Sequence, residues 1–266
     1  MTTLSTLNKF KREGTKFTCL TCYDAMFARM MDKAKIDTIL IGDSLGMVVQ
    51  GHNSTLPVSV ADMAYHTANV ARSNEHALIL ADLPFMSYVT LPEAIVNSRQ
   101  LMQAGAHVIK IEGGSELCDL VSTLARAGTP TCVHLGLTPQ SVNVFGGYKI
   151  QGRSDEAAEK LLSDATAVVA AGAALLVLEC VPAELAKAVT EAVAVPVIGI
   201  GAGADTDGQV LVMHDMLGMV HGRVPRFVHD FLTDERNTEH SIEGAFTLYQ
   251  QSVTEGSFPV QQHQFD

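Results

Sequence analysis

Four carboxylates, a lysine and a histidine stand at or near the ends of short apolar runs. Asp43 follows "TILIG", Asp82 closes "LILAD" and Glu179 closes "LLVLE"; Lys110 and Glu112 fall inside "VIKIEGG", and His134 inside "TCVHLG". Lys110 and Glu112 are two residues apart, so on a strand they share one face with Val108. Acids gathered at one spot repel unless a cation sits among them. An all-oxygen donor set suits Mg2+, which takes few protein ligands and keeps positions for water or a chelating oxy-acid. Each acid alone has a plainer reading as a turn or cap residue. Burying all four without partners is costly, which favours a shared site. Lys110 can pair with one of these acids or snorkel to solvent. His134 reads as a donor facing a ligand, with a satisfied core histidine as the alternative. His52, His66, His107, His214 and His221 lack ligand spacing and read as structural.

The elements that must position these groups are near-continuous apolar runs. They begin at Phe17, Asp37, Ala77, His107, Thr129, Ala174, Val195 and Gln209. Runs of this kind fit parallel strands buried on both faces. Helical segments separate them. "SVADMAYHTANVARS" opens as a capping box with Asp62 three residues after Ser59, and "LPEAIVNSRQLMQAGA" has Pro92 early and Gly105 at its end. A βα unit of roughly 20–40 residues repeated eight times predicts a (β/α)8 TIM barrel. Residues 1–266 are expected to form one domain, with a short N-terminal lead-in and a polar C-terminal helix and tail. The ending "FPVQQHQFD" is expected to cover a neighbouring subunit or to fray.

An open doubly wound sheet is the rival, because "GIGAGA" (Gly199 to Ala204) fits a nucleotide-loop pattern. "DTDG" follows where a helix should open, so a tight turn at a barrel rim is the better reading. "CLTC" has redox spacing, yet Cys19 falls inside an expected strand, and the five cysteines read as reduced thiols. A net charge of −11 argues against a nucleic-acid backbone or an anionic membrane as partner. "MTTLSTLNKFKREGTKF" has no apolar signal core, and "ATAVVAAGAALLVLECV" is interrupted by Gly172 and Glu179. A cytoplasmic location follows as the expectation. "NVFGGYKIQGR" pairs glycines with cations, as a loop closing over substrate does.

Beyond these readings, the chain resembles the ketopantoate hydroxymethyltransferases along almost its whole length. The matching stretches are "IGDSLGMVVQGHNSTLPVSVADMAYH", "LILADLPFMSY", "VIKIEGG", "HLGLTPQSVNVFGGYKIQGR", "LLVLECVP" and "IGIGAGADTDGQVLVMHDMLG". The resemblance implies a barrel of the phosphoenolpyruvate mutase/isocitrate lyase-like kind. It implies transfer of a hydroxymethyl group from 5,10-methylenetetrahydrofolate to 3-methyl-2-oxobutanoate, through a metal-stabilised enolate, in pantothenate biosynthesis. By the same resemblance Asp43, Asp82 and Glu112 belong to a Mg2+ site. Asp43, Ser44, Asp82 and Lys110, with His134, would meet the keto acid, and Glu179 would be the proton acceptor. The family's homo-oligomers, commonly decamers, are implied as well. Val133 stands where the family pattern has glycine. Two alternatives from the residues themselves are a Mg2+-dependent 2-oxo acid lyase or mutase, whose usual loop cysteine is absent from "FGGYKIQGR", and a non-catalytic barrel that binds small acids.

Overall fold

A computed structural model describes residues 1–266 except His221 and Arg223. Eight parallel strands close on themselves in chain order: β1 (Phe17–Thr21), β2 (Thr38–Ile41), β3 (Leu78–Asp82), β4 (Val108–Glu112), β5 (Thr131–Gly136), β6 (Leu175–Glu179), β7 (Val197–Ile200) and β8 (Gly208–Leu211). The seam joins first to last, with Phe17 beside Gly208 and Leu20 beside Leu211. Alternation explains the unbroken apolar runs. Phe17, Leu80, Val108, Cys132, Leu175 and Ile198 fill the lumen. Their neighbours Leu20, Ile79, Ile109, Val133, Leu176 and Val197 pack outward against the helices.

Helices lie between the strands as their boundary residues dictate. Ser59 caps Val60–Ala71 and exchanges hydrogen bonds with Asp62. Leu91–Ala104 has Pro92 in its first turn and stops at Gly105, which takes the left-handed conformation at φ 116°. Asp155–Ala171 runs from a Ser154 cap to Gly172, so the long apolar stretch is a helix end followed by β6. Among the described residues, no helix is long and apolar enough to cross a membrane. Cys19 and Cys22 are buried, and burial pushes both thiols up to about 12, which suits packing rather than redox chemistry.

The eightfold βα expectation fails at one place. No helix joins β7 to β8; residues 201–207 return the chain directly. Glycine makes this return possible. A Cβ on Gly199 would lie 2.6 Å from Thr206 Oγ1, and one on Gly208 would lie 2.6 Å from the Phe17 ring. Gln209 Nε2 then donates to the Gly203 carbonyl and Thr206 Oγ1 at 2.9 and 2.8 Å. The glycine-rich run is therefore a close-packed rim turn, not a nucleotide loop. Gly208→Ala should cost about 1–3 kcal/mol by forcing Phe17 out of the lumen, read as a lowered urea midpoint with unchanged slope.

The C-terminal segment locks the seam and returns to the rim. Tyr249, on the helix Ile242–Thr254, places its hydroxyl 2.8 Å from the Gln209 carbonyl and 3.1 Å from that of Cys19, bridging β8 and β1. The tail packs on its own barrel. Phe258 is buried, Phe265 bridges to Pro182, and the Ala183 N–H donates to the Phe265 carbonyl at 3.0 Å.

Candidate active site

The alternation that fills the lower lumen with hydrocarbon puts charge at its upper end. Asp82 lies beside Lys110 in the β3–β4 register, and Glu112 beside His134 in β4–β5. Lys110 Nζ lies 2.6 Å from Asp82 Oδ1 and 3.6 Å from Glu112 Oε1. Asp43 sits two residues past β2, in the turn leading to the short helix Leu45–Val48, and its N–H donates to Asp82 Oδ2 at 3.0 Å. Ser44 lines the same cavity and lies 2.9 Å from the Tyr23 hydroxyl. The face that Lys110 and Glu112 share is the lumen, and both are buried.

Two further groups complete the cluster. His134 Nδ1 lies 3.3 Å from Glu112 Oε1, and its Nε2 lies 3.3 Å from Glu179 Oε2. The second contact is too poorly aligned for a hydrogen bond, which leaves Nε2 a buried polar atom without a partner. Glu179 ends β6 where the backbone is tightly held. Its carbonyl accepts from the Leu137 N–H at 2.9 Å and occupies the space a Cβ on Gly136 would need. Cys180, next in the chain, is forced to φ 48°, a left-handed conformation costly for a non-glycine residue. Hydrogen bonds from Cys180 N–H to Ile200 and from Gln151 N–H to Cys180 hold it there, both at 2.9 Å.

The electrostatics follow from burial and proximity. Asp43, Asp82 and Lys110 are only 3, 2 and 3% exposed, so solvent screens them little. Burial, then the Asp82 and Glu112 charges, push the Asp43 carboxyl well above its ordinary range. Burial also raises Asp82, against the pull of Lys110. Burial alone would lower Lys110, but Asp82, Glu112 and Asp43 outweigh it and hold the ammonium above its usual value. Glu112 stays below its usual range despite burial, because His134, Lys110 and the Gln140 N–H favour its carboxylate. His134 is drawn down by burial and Lys110, yet Glu112 and Glu179 bring it up to about 9.

Sequence reasoning missed two residues that tie the cluster together. Gln140 donates from Nε2 to Asp43 Oδ2 and from its N–H to Glu112 Oε2, at 2.9 and 3.0 Å. Tyr88 donates to Gln140 Oε1 at 2.7 Å and accepts the Glu112 N–H at 3.2 Å, beyond the point where β3 stops pairing with β4. Both lie inside stretches that carried the family resemblance, but a neutral amide and a phenol gave no chemical signal by themselves. The histidines set aside stay apart from the cluster where they are described. His66 Nδ1 pairs with the Tyr23 carbonyl, His107 accepts from the Ile79 N–H, and His214 packs on the Tyr23 ring; His221 lies outside the described residues. Val133 points outward into the helix layer, away from His134.

The donor set fits a hard cation. Asp43 and Asp82 both present carboxylates to the cavity, joined by the Asp43 N–H to Asp82 Oδ2 hydrogen bond, and both are raised by burial in a way a bound cation would relieve. Glu112 is drawn toward Lys110, His134 and Gln140, and among the described residues no three His, Cys, Asp or Glu side chains are grouped closely enough to hold a metal together. Two carboxylates with remaining positions for water and substrate is the arrangement Mg2+ accepts. Asp43, Asp82, Lys110, Glu112, His134 and Glu179 line one cavity of about 900 Å3, which also reaches Tyr148, Lys149 and Arg153 of the loop after β5.

Comparison with known proteins identifies the family. The family profile described as ketopantoate hydroxymethyltransferase matches residues 1–261. The 3-methyl-2-oxobutanoate hydroxymethyltransferases of Psychrobacter cryohalolentis and Psychrobacter arcticus are 88% and 89% identical over 265 residues, covering 100% of each chain. Among solved structures, 2,3-dimethylmalate lyase, a PEP mutase/isocitrate lyase superfamily member, matches with a TM-score of 0.57 at 16% identity. That match covers 79% of this chain and 81% of the other, and it speaks for the fold alone. With the profile spanning nearly every residue and relatives this similar over their full length, the chain belongs to the ketopantoate hydroxymethyltransferase family.

Proposed function

We propose that this chain transfers the one-carbon unit of 5,10-methylenetetrahydrofolate to 3-methyl-2-oxobutanoate, giving 2-dehydropantoate and tetrahydrofolate in the cytoplasmic synthesis of pantothenate. The observation that carries the reading is the convergence of Asp43, Asp82, Lys110, Glu112, His134 and Glu179 on one cavity at the upper end of the lumen. When bound by Asp43 and Asp82, with Glu112 nearby, Mg2+ supplies Lewis acidity toward the two oxygens of a 2-oxo acid. The side chains supply the rest. Lys110, held charged by its acidic neighbours, faces the substrate carboxylate as a point charge. Ser44 and the unpartnered His134 Nε2 offer polar contacts to the oxygens of the keto acid. Water frees the one-carbon unit from both folate nitrogens as formaldehyde, leaving tetrahydrofolate with its two N–H bonds. Glu179 takes the proton from C3, and the electron pair left on that carbon forms the C–C bond to the formaldehyde carbon. The alkoxide so formed takes up a proton as the new hydroxyl. Lumen side chains Leu40, Val177, Ile200 and Val210 keep the floor of the cavity apolar, as an isopropyl-bearing acid requires.

Residues 1–266 act in this reading as one barrel domain within a homo-oligomer, the decamer of the family being the expected form. Exposed Phe85, Met86, Val89, Leu91, Ile95 and Val96 follow one another along the loop and helix after β3, and such an apolar run is what a subunit contact would cover. The decisive test omits the folate. In D2O with Mg2+, the chain should exchange the C3 proton of 3-methyl-2-oxobutanoate, seen by proton NMR as loss of that signal. Absence of exchange with metal present removes the proton-transfer step and with it the reading.

A further inference from the structure

We propose that the outer part of the same cavity holds the one-carbon donor, with Phe227 and Phe265 as the platform for its fused ring and Lys149, Arg153 and Arg226 as the anchor for its carboxylate tail. This rests on the function proposed above and adds the residues for its second substrate. Three observations converge. At about 900 Å3 the cavity far exceeds a five-carbon acid and lies in the range of about 300–1,000 Å3 that encloses a drug-sized molecule.

Charge is sorted along its depth. Asp43, Asp82, Glu112, Glu179 and Lys110 occupy the lumen end, Asp215 lines the wall just after β8, and the exposed Lys149, Arg153 and Arg226 line the mouth. Among the described residues none of these three forms an ion pair, in a chain whose net charge is −11. Cations left without acidic partners at the mouth of a site in an acidic protein favour an anionic ligand.

Aromatic surface lies beside them. A Cβ on Gly201 would come within 2.8 Å of the Phe227 ring and 3.0 Å of the Phe265 ring, so glycine there lets both rings approach the end of β7, where both line the cavity. Neither ring is fully buried, and the Arg226 guanidinium carbon lies 5.9 Å from the Phe265 centroid. Phe265 is held in place by the Ala183 N–H, and Arg226 Nε donates to the Gln262 carbonyl at 3.0 Å, so the tail and its cation are ordered together. Across the mouth, the Tyr148 hydroxyl reaches Met47 Sδ at 3.7 Å and brings the loop after β5 over the acids. A reduced pteridine with an aminobenzoyl-glutamate tail matches a ring platform flanked by free cations.

Calorimetric titration of the Mg2+-loaded chain with tetrahydrofolate and its triglutamyl form tests this directly. Arg226→Ala, and the pair Lys149→Ala with Arg153→Ala, should each raise the Kd by roughly tenfold, more for the triglutamyl form. Phe265→Leu should weaken both ligands while leaving the urea midpoint near that of the parent, and Phe265→Tyr should restore binding; a purely structural role for the tail would lower the midpoint together with the affinity. Lys187→Ala, which removes an exposed charge on the helix Ala183–Ala192, serves as the control and should leave the Kd unchanged. Wild-type affinity in all the mouth variants overturns the assignment. Failure of the wild-type chain to bind either folate instead overturns the functional reading beneath it.

Discussion

Glu179→Gln is expected to bind 3-methyl-2-oxobutanoate as the parent does while slowing C3 proton exchange, and turnover with it, by about 10²–10⁴-fold. The size of the effect follows from how the cluster is wired. Asp43, Asp82 and Glu112 are tied to Gln140, Lys110 and His134, whereas Glu179 has only an unaligned contact to His134 Nε2. Of these four acids, it is the one whose carboxylate makes no hydrogen bond among the described residues, so its oxygens are free to face C3. Glutamine keeps the volume, and the features that position residue 179 are backbone ones: the Leu137 hydrogen bond, the space at Gly136 and the bend at Cys180. Geometry should therefore survive while basicity is lost. NMR exchange and a keto acid titration on the same sample separate the two, and a variant that exchanges at the parent rate would remove Glu179 from the role.

Lys110→Met is expected to cost about 3–5 kcal/mol of stability, because removing one partner of a buried pair strands the other. Here it strands Asp82 at 2.6 Å and deprives Glu112 at 3.6 Å of a compensating charge, with Asp43 adding to the repulsion. The loss should depend on pH with a definite sign. Burial already raises Asp82 while Lys110 lowers it, so without the lysine its folded value climbs further above the unfolded one. A group raised in the folded state destabilises it as pH rises past the unfolded value. The deficit should be largest near neutrality and shrink on acidification toward the carboxylate range. Urea unfolding of parent and variant at several pH values measures it; a constant deficit would mean the lysine acts by packing alone.

The strands were legible because a barrel buries both faces of each one, and the helices because their ends carry Ser59, Pro92, Gly105 and Gly172 in the positions that caps demand. The shared orientation of Lys110 and Glu112 followed from strand alternation, whereas the outward turn of Val133, whose neighbour His134 faces the lumen, came only with the structure. What escaped notice depended on long-range geometry. The return from β7 to β8 reads as a tight rim turn, but that it replaces the helix of a βα unit altogether rests on the room its glycines make for Thr206 and Phe17. Gln140 bridges Asp43 and Glu112, carboxylates 97 and 28 residues away in the chain, and no local pattern announces such a bridge. The tail carries polar residues throughout, and only its path back to Pro182 shows why Phe265 belongs to the cavity wall.

The seam between β1 and β8, fastened by Tyr249, has a bearing on biosynthesis. A nascent chain threads out of the ribosome with its first strand unable to find a permanent neighbour on that side until nearly two hundred further residues have been translated. The unfinished polypeptide offers a strand edge to the crowded cell throughout that interval, and prematurely terminated products would keep it. Synthesis of β8 and then Tyr249 is thus what seals the molecule.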